Sequence, residues 1–471
     1  MIMTSWPVRI VAMLLSALAA LPAFAEEKIT PQAQSELAFS YAPVVKKAAP
    51  AVVNIYTSRK VQVTEGASQL ARDPFFRQFF GQQFNFGGRT HEQVVSSLGS
   101  GVIVKPDGTI VTSHHVIKDA QEIRVVLADK REFDAKVILR DPESDLAFLK
   151  IDAPAPLPSL ELRDSDSLEV GDRVLAIGNP FGVGQTVTNG IVSALARAAR
   201  GVSDYQFFIQ TDASINPGNS GGALVDMKAR LIGINTAIYS SGGGSNGIGF
   251  AIPANMVRAL LDGKVEGGRV VRPWLGIDVQ PVTPEVAESL ALPSSHGVLV
   301  KQLRPGSPAE EAGIRPGDVI TAVNGADISS GQELQYRVAL GHIGEEAHFT
   351  VMRSGKARTV DIRLTKPPAT PAPDKRTLKG RQPLSGVTVA NLSPALSVEL
   401  GMGDASEGVV VLGTEGGLIG AALQPGDIIR KVNGNNVAST AQLEQAMQAD
   451  SREWQIVYQR GDHLLTLTVQ P

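Results

Sequence analysis

A chain of 471 residues with 43% apolar and 19% charged residues is globular material, long enough for roughly three domains of about 150 residues each. A formal net charge of −3, with no Lys/Arg run of the kind that tracks phosphates, argues against nucleic acid as a partner. The absence of cysteine excludes a disulfide framework and a thiolate metal site, so folding rests on packing.

The chain opens with Arg9, an apolar run from Ile10 to Leu21, and Ala23-Phe24-Ala25 before Glu26. This is the layout of a cleaved export signal over residues 1–25, and the periplasm is the expected destination. An apolar run of about 12 residues falls short of the roughly 20 that cross a bilayer.

From Ala51 to Pro253 short β-branched or apolar runs alternate with Gly, Pro, Asp and Asn: Val52 to Tyr56, Gly101 to Val104, Ile123 to Leu127, Leu146 to Ile151, Val174 to Ile177 and Leu231 to Asn235. The pattern predicts antiparallel strands in a sandwich or barrel, and about 200 residues suit two small barrels packed together. Residues 61–95 differ, with Phe75, Phe76, Phe79, Phe80, Phe84 and Phe86 set among Gln, Arg and Gly; they read as an insertion with a short amphipathic stretch. His91-Glu92-Gln93-Val94-Val95 lacks the second His of a zinc-protease helix, and no GxxxxGK[ST] loop occurs, so neither a metal, nor another cofactor, nor an ATP-driven machine is expected.

Three motifs in this region carry chemistry. His115 lies in Thr112-Ser113-His114-His115-Val116, Asp145 in Ser144-Asp145-Leu146-Ala147-Phe148, and Ser220 in Gly218-Asn219-Ser220-Gly221-Gly222. His, Asp, Ser is the order in which chymotrypsin-type barrels thread a nucleophilic triad. A hydroxyl is a poor nucleophile at neutral pH, so Ser220 needs an imidazole to take its proton and a carboxylate to fix that imidazole's tautomer. The glycines let the turn expose Oγ while the amides of Gly218 and Ser220 face one small space as an oxyanion hole. Consecutive side chains on a turn or helix diverge by about 100°, so only one of His114 and His115 can face Ser220. Asp141 rivals Asp145 but sits in Asp-Pro, which reads as turn initiation.

Further on, Leu303 to Gly325 aligns without gaps on Leu412 to Gly434. The offset is too large for a solenoid unit, so two copies of one domain are expected. Each copy leads through Pro-Gly-Asp into a strand ending at Asn324-Gly325 or Asn433-Gly434, a strong tight-turn signal. Between the copies, prolines from Pro367 to Pro373 predict a semi-rigid extended spacer over 367–380.

Taken together, Gly-Asn-Ser-Gly-Gly, Thr-x-x-His-Val, Ser-Asp-Leu-Ala, Ile177-Gly178-Asn179-Pro180-Phe181-Gly182, Gln210-Thr211-Asp212-Ala213, Gly249-Phe250-Ala251-Ile252-Pro253 and two Pro-Gly-Asp modules resemble the HtrA (Deg) serine proteases of the periplasmic DegP/DegQ type. The resemblance implies a mainly β chain with a chymotrypsin-like double β-barrel protease domain over 26–265, followed by PDZ domains over 270–366 and 381–471. It implies ATP-independent cleavage of unfolded or damaged envelope proteins, accompanying chaperone action, and homo-oligomers built from trimers into larger cages. The alternative class is a non-proteolytic peptide-binding scaffold.

Residue by residue, the match selects His115 as base, leaving His114 solvated or locally hydrogen bonded, and makes Asp212 structural. By family position Ala237, Tyr239 and Ile248 line the substrate pocket, where no acidic residue can bind Lys or Arg, and Tyr239 stands where an aliphatic side chain is expected. Arg272-Pro273-Trp274-Leu275-Gly276-Ile277 resembles a PDZ carboxylate-binding loop, with the amides of Leu275, Gly276 and Ile277 around a peptide's terminal carboxylate. Leu384-Ser385-Gly386-Val387 is a weaker counterpart. The phenylalanine-rich insertion either enters another subunit's active site in a resting oligomer, as the resemblance implies, or packs within its own domain.

Overall fold

The computed structural model describes residues 40–63, 91–179, 184–197, 207–216, 218–238, 245–263, 265–266, 269–380, 382–402, 407–414, 422–448, 453–461 and 463–469. The export signal, the phenylalanine-rich stretch and Tyr239 lie outside them.

The first sheet is built from β1 (Val52–Val63), β2 (His91–Lys105), β3 (Thr109–Ser113), β4 (Glu122–Val126), β5 (Glu132–Asp134), β6 (Lys136–Asp141) and β7 (Leu146–Lys150), in the order β5-β4-β1-β2-β3-β7-β6. Its outermost strands β5 and β6 are joined through Ala135 alone, so the sheet curls round on itself. Ile55, Ile103, Ile110, Leu146 and Leu149 are fully buried, and each such side chain contributes about 1.5–3 kcal/mol of transfer free energy. A short helix, α1 (His114–Ile117), follows β3.

The second sheet closes into a barrel in the order β10-β13-β12-β11-β8-β9. Its strands are β8 (Arg173–Gly178), β9 (Thr186–Arg197), β10 (Phe208–Thr211), β11 (Ala223–Val225), β12 (Leu231–Ile238) and β13 (Gly249–Pro253). Val174, Ala176, Val192, Ile209, Leu224, Ile232 and Ala251 fill it, drawn from every strand because inward positions alternate along each. The helix α2 (Ala254–Asp262) and a small hairpin, β14 (Val265–Glu266) with β15 (Arg269–Val270), lead out.

The two later modules repeat one plan. The first orders its strands β16-β17-β18-β20-β21, from β16 (Ile277–Pro281), β17 (Val298–Leu303), β18 (Val319–Val323), β20 (Glu346–Arg353) and β21 (Lys356–Arg363), with β19 (Ala326–Asp327) paired to β18. Its helices are α3 (Pro284–Ser289), α4 (Pro308–Glu311) and α5 (Gly331–Ala339). The second orders its strands β22-β23-β24-β25-β27-β28, from β22 (Arg376–Thr377), β23 (Val387–Asn391), β24 (Val409–Thr414), β25 (Ile428–Val432), β27 (Trp454–Arg460) and β28 (His463–Val469), with β26 (Asn435–Asn436) paired to β25. It carries α6 (Pro394–Glu399) and α7 (Thr440–Met447). The repeated residues do the same work in each copy: Asp318 pairs with Arg353 at 2.6 Å and Asp427 with Arg460 at 2.7 Å. Asn324 and Asn433 both turn at a φ of 49°.

The gapless alignment of the copies fails at one strand. Leu303 stands opposite Ile277 and Thr414 opposite Val387, so Thr414 rather than Leu412 is the counterpart of Leu303. Ile320 and Ile429 do correspond, both pairing with the first residue of the preceding strand. The second copy is therefore shorter between these strands.

Packing against the barrels fixes the first module at two places. Phe207 stacks on Tyr336 with ring centroids 3.9 Å apart, and the neighbouring Arg337 reaches Asp166 at 2.5 Å. Arg272, 4% exposed, is held by Asp141 and, at 2.8 Å, by Glu143.

Candidate active site

Antiparallel pairing of β3 with β7 brings the histidine and aspartate motifs together, because Ser113 stands opposite Leu146 and the next residue on each side is His114 or Asp145. His114 N donates to Asp145 O at 2.9 Å, and His115 N donates to Asp145 Oδ1 at 2.9 Å. His115 Nδ1 lies 2.7 Å from Asp145 Oδ2. An ionised carboxylate only accepts, so this bond places the imidazole proton on Nδ1 and leaves Nε2 basic. The carboxylate side chain is 7% exposed and the imidazole 35%, so the carboxylate lies inside while the imidazole opens toward solvent.

Asp145 takes a φ of 57°, a costly conformation for a residue with a Cβ, and it persists because its surroundings over-determine it. Thr236 Oγ1, from β12 of the other barrel, donates to Asp145 Oδ2 at 2.6 Å. Burial alone would raise the Asp145 pKa, but the His115 charge and the bonds from His115 and Thr236 outweigh it and hold the carboxyl below its ordinary range.

Ser220 is tied to the same threonine: its Oγ donates to Thr236 O at 3.1 Å. Thr236 thus touches the carboxylate with its hydroxyl and the serine with its carbonyl. Sequence reasoning passed over it, since Asn235-Thr236 reads as ordinary strand.

Ser100 is the second residue it missed. Its amide donates to Ser220 O at 2.9 Å, its hydroxyl donates to Gly218 O at 2.6 Å, and that hydroxyl accepts from Asn179 N at 2.9 Å. A fully buried serine of the first barrel therefore fixes the peptide plane beside Gly218 in the second. Gly221, at a φ of 82°, has room for no side chain, because a Cβ there would run into Ser100 O and Thr112 Oγ1.

The residues weighed beside these are held differently. His114 is half-buried, and its Nδ1 is enclosed with no hydrogen-bond partner, so it is neither solvated nor locally bonded at that atom. Burial is the largest influence on it and pushes its pKa down. Asp141 does more than start a turn: it ends β6, 3% exposed, and accepts from Ser144 Oγ and Arg272 Nη2. Asp212 Oδ1 accepts from Ile191 N at 2.7 Å, which ties β10 to β9.

Of the residues expected to line a substrate pocket, Ala237 stands opposite Phe250 in the β12–β13 pair, and Ile248 is half-buried just before β13. In the first later module Leu275 and Ile277 are buried, and Gly276, at a φ of 70°, leaves no space for a Cβ against Ser307 and Trp274. Among the described residues no cluster of His, Asp and Glu is arranged to hold a metal, and no helix is long and apolar enough to cross a membrane.

Comparison with known proteins agrees with this architecture. The trypsin-like peptidase domain family matches residues 99–234 and the PDZ domain family residues 273–364. The periplasmic serine endoprotease DegP of Salmonella typhimurium is 38% identical over 474 residues, spanning 96% of this chain and 96% of that protein. The chain belongs to the HtrA family of serine endoproteases. DegP of Escherichia coli K12 is likewise 38% identical, over 92% of each chain. Among solved structures, the HtrA-type protease AlgW with a decapeptide is 45% identical and covers 70% of this chain and 99% of its own, with a TM-score of 0.52. This HtrA protease thus has periplasmic relatives, a trypsin-like domain and a PDZ domain, and its activity is serine endoproteolysis.

Proposed function

We propose that Ser220, His115 and Asp145 are the catalytic residues of this HtrA protease, and that its substrates are unfolded or damaged exported polypeptides. Ser220 Oγ attacks the scissile carbonyl while His115 Nε2 takes its proton; Asp145 steadies the imidazolium that forms. The amides of Gly218 and Ser220 meet the charge that appears on the carbonyl oxygen, each contributing about 10²- to 10³-fold in rate. His115 then protonates the leaving amine, and water repeats the sequence on the acyl-enzyme. The supporting observation is the bonded path from His115 through Asp145 and Thr236 to Ser220.

In the same reading, Ala237, Tyr239 and Ile248 shape a pocket for small or β-branched aliphatic residues. Substrate C-termini add as a strand to the edge of β16, with the carboxylate against the amides of Leu275, Gly276 and Ile277. No strand covers that edge among the described residues, and the AlgW relative was solved with a peptide. Export behind residues 1–25, chaperone action and trimer-based homo-oligomers complete the proposal. Gel filtration with and without a denatured protein checks the assembly.

The decisive variant is Ser220→Ala. It should lower hydrolysis of a denatured protein by about 10⁴ or more while leaving substrate binding intact, and His115→Ala should match it. Near-normal turnover in either variant ends the assignment.

A further inference from the structure

The two later modules differ along one edge. β23 occupies the position of β16, yet its outer edge is paired with β22, Arg376 opposite Val389 and Thr377 opposite Thr388. The contact extends beyond those pairs. Leu378 N donates to Val387 O at 2.9 Å, Asn391 N to Pro373 O at 2.6 Å and Asn391 Nδ2 to Ala372 O at 3.0 Å. The linker from Ala372 to Leu378 therefore lies antiparallel along the whole of β23.

It also meets the helix on the far side of the groove. Thr440 Oγ1 of α7 donates to Asp374 Oδ2 at 2.6 Å, and Arg376 Nη1 donates to Glu444 Oε2 at 2.5 Å. At the loop end Gly386, with a φ of 84°, donates its amide to Leu378 O at 2.9 Å. Leu378 is 3% exposed and belongs to the same buried core cluster as Leu384, Val387, Leu443 and Met447. Burial of the strands follows: Val389 in β23 is fully buried, whereas Val279 in β16 is only partly so.

We propose that the groove between β23 and α7 is a binding site for an internal extended segment bearing an aliphatic residue at its loop end, and that residues 372–378 of this chain are its resident ligand. A peptide carbonyl, that of Leu378, stands where a terminal carboxylate would stand in an open PDZ groove. Free C-termini then have access to the first groove only. The proposal rests on reading the β16 edge as the peptide site. Residues 379–383 tether Leu378 to the loop, and short tethers give effective concentrations on the order of millimolar. A competing peptide at about 10 μM, of equal intrinsic affinity, would hold the second groove roughly a hundredfold less than the linker does.

The test uses the full chain carrying Ser220→Ala, so that the probe survives, and a short peptide ending in leucine with a free carboxylate and a benzophenone side chain. Photoadducts are mapped by mass spectrometry. With the native linker, adducts should fall on Ile277–Pro281 and α5 and not on Val387–Asn391. Adding Leu378→Asp, which puts a charge in the aliphatic seat, should bring adducts onto Val387–Asn391. Amide exchange in β25 and β27 reports whether the second sheet stays folded; if it does not, Leu378→Ala should give intermediate labelling of β23. Adducts on Val387–Asn391 with the native linker overturn the proposal, as does their absence when a folded variant has lost the leucine. Absence of adducts on Ile277–Pro281 is a separate result, and it refutes the reading of the first groove.

Discussion

Arg272→Met removes a cation from a site that is closed to water. The side chains of Arg272 and Asp141 are each 4% exposed and that of Glu143 is 15% exposed, and the guanidinium spans both carboxylates. Removing one member of a buried ionic cluster strands the others and costs about 3–5 kcal/mol, where a surface pair would cost under about 1. At roughly 2–4 °C per kcal/mol for a domain of about 200 residues, the melting temperature of the protease domain should fall by roughly 6–20 °C. Arg272→Lys should rescue it only in part, since a point charge cannot serve two acceptors as a planar fork does. Adding Asp141→Asn to Arg272→Met should recover part of the stability, because the more deeply buried of the two stranded charges is gone while Glu143 remains. Asp141 and Asp145 flank one turn, so loss of the clamp should also lower kcat by about 10–100-fold with KM little changed, misorientation of a catalytic group having that scale. Differential scanning fluorimetry and steady-state peptide hydrolysis read the two effects. A melting shift below about 2 °C with unchanged kcat would refute the reasoning.

Two further outcomes are expected. Ser100→Ala strips a buried partner from Gly218 O and Asn179 N, each worth about 1–3 kcal/mol when left unsatisfied, and should depress kcat far more than KM; equal loss in both would mean that the oxyanion loop keeps its shape without the hydroxyl. His114 has its pKa pushed below 6.5 by burial, so the unfolded chain binds a proton first as pH falls, and stability should decline below about pH 6.5; His114→Leu should flatten that decline in urea titrations, and an unaltered pH profile would contradict it.

The meeting of His115 with Asp145 was legible in the sequence, because His, Asp, Ser is the order in which a chymotrypsin-type barrel threads these residue types. The turn chemistry was legible for a similar reason: Asn324 and Asn433 adopt the positive φ that their Asn-Gly pairs announce. What stayed hidden depends on long-range approach. Thr236 and Ser100 act through hydrogen bonds that cross between the barrels, and nothing in a local pattern distinguishes them from strand residues. Arg272 meets Asp141 from 131 positions away. The linker was read as a spacer because its prolines dominate the composition, yet its carbonyls at Ala372 and Pro373 already accept from Asn391 and the strand pairing follows at Arg376 and Thr377. Ungapped repetition misled at β24, where the shape of the sheet is kept while the chain is shortened.

The most direct measurement of the central claim is active-site labelling of the full chain with a fluorophosphonate, read by mass spectrometry. A single adduct on Ser220, formed at a rate that His115→Ala and Asp145→Asn each reduce by about 10³-fold or more, is the predicted result. An adduct on another serine, or labelling of Ser220 that is indifferent to both substitutions, would contradict it.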